Sequence, residues 1–186
     1  MSTISTIKMT AHQFLELGED PVGVRLELVN GEVAVSPSPT PDHSYIDTQL
    51  RIILGQYLKT HQLGRLYGDV DTIFGIHDVR RPDVIFFANS RLHLISKKAM
   101  EGPPDLCVEI LSPSSRKTDR ADKFEQYRAG GVAHYWIIDP EPQTIEAYTL
   151  QEGVYVLSGR GKGADIVHLA PFPELAIPLA ELWPPR

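Results

Sequence analysis

Pro104-Asp105-Leu106-Cys107-Val108-Glu109-Ile110-Leu111 is the stretch whose reading decides the fold. Residues 105–111 alternate as a short strand does. Leu106, Val108 and Ile110 point one way, while Asp105, Cys107, Glu109 and Leu111 point the other. Ser112-Pro113-Ser114-Ser115 ends the run, because proline cannot donate to a ladder and serine favours turns. A helix is predicted from Asp119 to Ala129, stopped by Gly130-Gly131. Glu109 is therefore a carboxylate at the end of a largely apolar strand, and burying it unpaired is costly. It requires a lysine, a hydrogen-bond network or a metal.

On the amino-terminal side, Val84-Ile85-Phe86-Phe87 reads as a second buried strand, opened by Pro82 with Asp83 at its mouth. On the carboxyl-terminal side, His134 to Ile138 is strand-like and ends in a turn at Asp139-Pro140-Glu141-Pro142. Thr144 to Leu150 and Val154 to Ser158 read as a hairpin, and Ile166 to Trp183 alternates short strand and turn signals. Earlier in the chain, Arg25 to Val29 and Glu32 to Ser36 flank Asn30-Gly31, the strongest short hairpin signal. Thr10-Ala11-His12-Gln13 has the form of a capping box ahead of a short helix. Pro37-Ser38-Pro39-Thr40-Pro41 is a stiff connector, too short to separate domains. The helix after it, from about His43 to Thr60, carries Ile46, Leu50, Ile53, Leu54, Tyr57 and Leu58 as one apolar stripe, which is core. Arg65 to Ile76 is strand-like but broken by Gly68 and Gly75, and residues 88–103 read as a loop with a helical turn. The sum is an α/β (mixed α+β) chain, a mixed sheet with two main helices and an N-terminal β-hairpin, organised as a single domain over residues 1–186.

One cysteine, Cys107, excludes an internal disulfide framework and fits a reducing compartment. The first eight residues lack the apolar centre of a secretory signal. No run approaches the roughly 20 apolar residues a membrane helix needs, so a cytoplasmic protein with no membrane partner is expected. The net charge of −6 argues against coating nucleic acid through a bulk positive field. Its distribution softens that argument. Residues 80–128 hold 10 of the 18 Lys and Arg but 7 of the 24 Asp and Glu, so the basic excess surrounds the candidate site.

Two Pro-Asp pairs compete for the role of partner to Glu109. Asp105 shares its strand face but lies four residues away, roughly 13 Å at the rise of a strand. Mg²⁺ binds oxygens at roughly 2.0–2.1 Å, so those two acids cannot readily share an ion. Asp83 belongs to a different strand, and if the two strands are neighbours, backbones roughly 4.8 Å apart let Asp83 and Glu109 converge. Paired acids of that kind hold a hard cation that also binds phosphate oxygens. The competing reading is a structural pair, with Asp83 capping a turn and Glu109 bridged to Lys123 or Arg120.

Lys123 stands four residues after Asp119. Taken alone it reads as a solvated lysine with an i,i+4 contact to that acid, whereas a lysine held beside a carboxylate or substrate phosphate would serve a site. Glu27 lies on the hairpin opposite in facing to Leu26 and Leu28, a position usually exposed. His43 opens the long helix and reads as a surface or capping residue. No CxxC or HxxxH spacing suggests zinc. Gly159-Arg160-Gly161-Lys162-Gly163 follows a hairpin without a helix after it, unlike a phosphate loop, and the lone cysteine has no nearby histidine to activate it.

The ordered set of these segments resembles the Uma-two family of restriction-endonuclease-like proteins. The resemblance is carried by Met9 to Leu15, Arg25 to Glu32, His43 at a helix start and Arg81-Pro82-Asp83-Val84. It continues through Pro104 to Ser114, Asp119-Arg120 through Lys123 to Tyr127, and Gly131 to Pro140. It implies a PD-(D/E)XK nuclease fold, a central mixed sheet flanked by helices with a divalent metal, Mg²⁺ or Mn²⁺, at the ends of two adjacent strands. Asp83 matches the motif's aspartate, Glu109 its acidic partner and Glu27 the family's N-terminal acid. The motif's lysine would fall at position 111, which is Leu111 here, and Lys123 matches a lysine supplied by the following helix instead. The implied protein is a metal-dependent endonuclease cutting DNA, with Asp83, Glu109 and the Ile110 backbone carbonyl on the metal, Lys123 at the attacking water and Glu27 holding metal-bound water. A homodimer would let two strands be cut. The Leu111 departure and the acidic total fit an alternative, an inactive nuclease-fold module that binds nucleic acid or protein.

Overall fold

The computed structural model describes residues 8–36, 38–113, 116 and 119–185. In chain order, α1 (Ala11–Leu15) is followed by β1 (Arg25–Val29), β2 (Glu32–Ser36), α2 (Pro41–His61), β3 (Gly64–Tyr67), β4 (Thr72–Gly75), β5 (Asp78–Arg80) and β6 (Val84–Ala88). Then come β7 (Leu106–Ile110), α3 (Phe124–Gly130), β8 (His134–Asp139), β9 (Thr144–Gln151), β10 (Val154–Lys162), β11 (Ile166–Leu169) and β12 (Phe172–Pro178).

Strand β7 lies inside a six-stranded mixed sheet of order β10-β9-β8-β7-β6-β3. It runs antiparallel to β6 and parallel to β8, with Leu106 across from His134 and Ile110 across from Ile138. A parallel pair needs a crossover of a dozen or more residues, and the segment containing α3 provides it. The crossover begins at the carboxyl end of β7, beside Glu109.

Both faces of this sheet are covered, which is why its central strands are apolar throughout. On one face Val84, Phe86, Leu106, Val108, Ile110, Trp136 and Ile138 pack against Ile46, Leu50, Leu54 and Leu58 of α2. The β11–β12 hairpin closes the same face with Val167, Phe172 and Ile177. On the opposite face Ile85, Phe87, Cys107, Leu111, Tyr135 and Ile137 pack with Tyr127, Phe74 and Met100. The alternation read from residues 105–111 is therefore the division between two cores. Glu109 belongs to the second face, an acid in a row of apolar side chains.

A smaller four-stranded sheet, β2-β1-β5-β4, stands on the α3 side. Its β1–β2 hairpin turns through Asn30 and Gly31, with φ of 52° and 81°. That is the left-handed pair Asn-Gly supplies in a two-residue hairpin. The capping box at Thr10 also forms, with Gln13 Oε1 accepting from the Thr10 N–H at 2.9 Å.

Three local expectations change. Helix α2 starts at Pro41 with Thr40 as its cap, because proline suits the first helical turn, where its missing N–H has no partner to lose. Strand β5 was not foreseen, since three residues with charges at both ends show no alternation; cross-strand pairing to β1 and β4 makes it a strand. The predicted helix from Asp119 is one π-helical turn, Asp119–Lys123, leading into α3. A single widened turn leaves no trace in a 3.6-residue pattern, and such turns gather at functional sites. The side chain of Asp119, and with it the predicted i,i+4 contact, lies outside the described residues.

Candidate active site

The antiparallel register of β6 and β7 pairs Val84 with Val108 and Ile85 with Cys107. One step further sets Asp83 across from Glu109 on the same sheet face. The placement is reinforced by the Ile110 N–H, which donates to Asp83 Oδ2 at 2.7 Å. Asp83 and Glu109 both line a small cleft of about 40 Å³, together with Arg25, Ser36, His43, Ser112 and Lys123. The two acids thus meet at one opening. Asp105, the other Pro-Asp acid, is at the far end of the same strands, where its Oδ2 accepts from the Ala88 N–H at 2.8 Å. It fastens a loop.

Glu109 is 1% exposed and Lys123 8%, so the lysine is not a solvated surface residue. Lys123 Nζ stands 2.8 Å from Glu109 Oε2, and the Tyr127 hydroxyl donates to Glu109 Oε1 at 2.6 Å. One helical segment thus grips both oxygens of one carboxylate. Leu111, where the usual motif lysine would stand, is buried in the apolar layer with Tyr127. An ammonium nonetheless reaches Glu109 from the crossover.

Asp83 is held differently. His43 Nε2 lies 3.0 Å from Asp83 Oδ2, and Arg51 donates to the Asp83 carbonyl. Burial pushes the Asp83 carboxyl pKa up, but the His43 hydrogen bond and charge, Lys123 and the Ile110 N–H together hold it below the usual carboxylate range. It is an anion at neutral pH. Among the described residues, no three His, Cys, Asp or Glu side chains gather into a ligand set. What the cleft provides is two hard oxygen donors, a lysine and the Ser36 and Ser112 side chains.

Glu27 is buried at 4% exposure, contrary to the usual fate of an outward hairpin position. Its Oε2 meets Arg80 Nη1 at 3.0 Å and its Oε1 accepts from the Arg81 N–H at 3.0 Å. Arg80 in turn donates to Gln126 Oε1 at 2.6 Å, tying β5 to α3. Burial works against the Arg80 charge, but Glu27, Tyr127 and Glu109 outweigh it and raise the guanidinium pKa further. Glu27 does not border the cleft; it braces Arg80 and Arg81 behind it.

Arg25 and Arg81 stand at the cleft and each is held by acids, Arg25 by Asp69 and Arg81 by Asp20 and Asp71. Cys107 is fully buried in the layer below, and burial pushes its thiol pKa well up, which removes it as a nucleophile. His43, expected as a surface or capping residue, instead meets Asp83, and Tyr127 and Arg80 were assigned no role from the sequence. A histidine at a helix start and a tyrosine at i+4 from a lysine look ordinary until the strands are paired.

A mixed sheet that sets two acids at the mouths of adjacent strands, with a lysine arriving from the crossover, is a nuclease-like architecture. A solved structure shares the fold: a nuclease described as putative and assigned to DUF820, from Anabaena variabilis ATCC 29413, superposes with a TM-score of 0.76. The two chains are 24% identical, and the likeness covers 94% of this chain and 97% of that one. No curated protein matches the chain. Residues 11–180 match the Uma2 family, described as "Putative restriction endonuclease", and the chain belongs to that family. No described helix is long and apolar enough to cross a membrane.

Proposed function

We propose that the protein is a Mg²⁺- or Mn²⁺-dependent endonuclease that hydrolyses DNA phosphodiester bonds in the Asp83–Glu109 cleft. The observation that carries this reading is the convergence of Asp83, Glu109 and Lys123 on one opening, from two strands and a crossover far apart in sequence. The donor set fits a hard cation, because Mg²⁺ is commonly held by one or two carboxylates and otherwise by water and substrate phosphate oxygens. Asp83 and Glu109 would hold it, with the Ile110 carbonyl as a third oxygen. When bound, such an ion polarises the phosphoryl oxygen and acidifies water.

The protein's own groups supply the rest. Lys123 donates toward the attacking water and offsets charge that develops on the phosphoryl oxygens. Asp83 stays ionised because His43 and the Ile110 N–H hold it. Arg25 and Arg81 border the cleft where a phosphate would enter, and the phosphate must compete with their aspartates. Glu27 serves from behind, through Arg80 and Arg81. Two copies would allow both strands of a duplex to be cut.

Supercoiled plasmid incubated with MgCl₂ tests the reading. Wild type nicks it, while Asp83→Asn, Glu109→Gln and Lys123→Ala do not. Equal nicking by all four proteins would mean a contaminating enzyme and would remove the proposal's support.

A further inference from the structure

Beyond the two acids and the lysine, the cleft depends on a residue that does not line it. Tyr127 is fully buried, one α-turn beyond Lys123, and its hydroxyl donates to Glu109 Oε1 at 2.6 Å. Lys123 takes the other oxygen at 2.8 Å. A carboxylate gripped at both oxygens is held in one orientation. The tyrosine ring is itself immobilised. It packs tilted against Phe74 with centroids 4.5 Å apart, and edge-on to Tyr135 at 5.2 Å.

We infer that Tyr127 is a positioning residue of the proposed metal centre, fixing the Glu109 carboxylate for the cation while Lys123 faces the water. The inference rests on the proposed function and adds to it a residue outside the acid–acid–lysine set. Groups that orient a metal ligand from behind typically change metal affinity or activity by about 10–100-fold when removed. A tyrosine that merely filled the core would change stability alone.

The two roles separate with a matched control. The Tyr155 hydroxyl belongs to the same aromatic layer but donates to the Val132 carbonyl, at 2.9 Å, away from both acids. Full-length wild type, Tyr127→Phe and Tyr155→Phe are melted across a MnCl₂ titration, and nicking is followed at saturating Mn²⁺. Both phenylalanine variants keep the ring, and Tyr127→Phe should lose more stability without metal, because its hydroxyl meets a buried carboxylate and that of Tyr155 a neutral carbonyl. The expected result is that Tyr127→Phe needs about 10–100-fold more Mn²⁺ for half of the thermal shift, while Tyr155→Phe titrates like wild type. A Tyr127→Phe midpoint and nicking rate equal to those of Tyr155→Phe would overturn the positioning role and leave the endonuclease reading standing. No Mn²⁺ shift in wild type would instead sink the metal reading itself, and this inference with it. If Tyr127→Phe proves too unstable to melt cleanly, its Mn²⁺ affinity is read at low temperature by quenching of tryptophan fluorescence, with the same two outcomes.

Discussion

Two buried ion pairs are met by consecutive residues of α3: Glu109 with Lys123, where Tyr127 donates to the acid, and Glu27 with Arg80, which donates to Gln126. Both are carboxylate–cation pairs with side chains less than 10% exposed. The first borders the cleft that Asp83 also lines, whereas Arg80 borders a separate, wider cleft with Asp78 and Gln126, away from Asp83 and Glu109. Arg80 is a planar, permanently charged fork that satisfies Glu27 and Gln126 together, and the Arg81 N–H completes the acid's other oxygen. That arrangement is closed on itself. Lys123 brings a compact ammonium with three rotatable donors, so it can meet Glu109 and still point toward another ligand. The difference teaches that open space beside a buried ion pair is not enough; a second acid converging on the pair and an adaptable cation make it a site.

The sharpest way to break the comparison is to neutralise one member of each pair and read activity. Lys123→Met should lower plasmid nicking by about 10²–10³-fold, the range for removing one preorganised donor from a transition state. Arg80→Met should retain a measurable rate in whatever fraction remains folded, once rates are corrected for folded protein by circular dichroism. Equal specific activities would erase the distinction between site and brace.

Stability should rank the pairs the other way. Arg80→Met leaves the buried Glu27 charge facing an apolar side chain, with the Arg81 N–H on its other oxygen, and removing one partner of such a pair costs about 3–5 kcal/mol. Lys123→Met leaves Glu109 with the Tyr127 hydroxyl and a cleft through which water can reach it, so its urea-unfolding loss should be smaller. The double variant Glu27→Leu/Arg80→Met should recover most of the Arg80→Met loss, because two apolar side chains of similar volume leave no stranded charge. The matching pair Glu109→Leu/Lys123→Met should recover stability while staying inactive. Recovery of nicking there would remove both residues from the chemistry.

How much of this was legible before the strands were paired follows from the kind of signal each residue gives. Glu109 stood out because an acid interrupted an apolar strand, and period-2 alternation already placed it on a face with Cys107 and Leu111. Asp83 followed from strand-spacing geometry, which excluded Asp105 as a partner. Lys123 was ambiguous, since a lysine in the first turns of a helix reads equally as solvated or engaged. Only the fold brings its ammonium to Glu109. Tyr127, His43 and Arg80 gave no separate signal. An aromatic on a helix reads as core, a histidine after a proline-rich connector reads as a cap, and an arginine ending a three-residue strand reads as loop. Glu27 was placed with the site through resemblance, and the hydrogen bonds put it behind the cleft.

A milder test uses the two Pro-Asp acids. Asp105→Asn removes a carboxylate that accepts one backbone N–H and lies 3.9 Å from Arg91, so a loss of about 1 kcal/mol is expected with nicking nearly unchanged. Asp83→Asn should do the reverse, with little activity left in a protein that melts near wild type. The contrast checks that position at one end of β6 and β7, and not the Pro-Asp dipeptide, confers the role.

The smallest effect concerns His134, at the start of β8 and far from the carboxyl end of β7. Burial lowers its pKa, with Asp105 opposing only in part, and its ring Nδ1 lies 3.2 Å from Thr149 Oγ1. A histidine whose folded pKa is depressed binds its proton more readily in the unfolded chain. Its contribution to stability is therefore fully present above the unfolded value of about 6.5 and is lost as pH falls below that and through the lower folded value. Melting temperatures between pH 7.5 and 5.5 should fall slightly more steeply for wild type than for His134→Gln, which has no proton to gain. Because the ring sits at the opposite end of the strands from the cleft, the pH dependence of nicking should be the same in both proteins. A variant whose melting curve keeps the wild-type slope would mean that water reaches His134 well enough to charge it in the folded state.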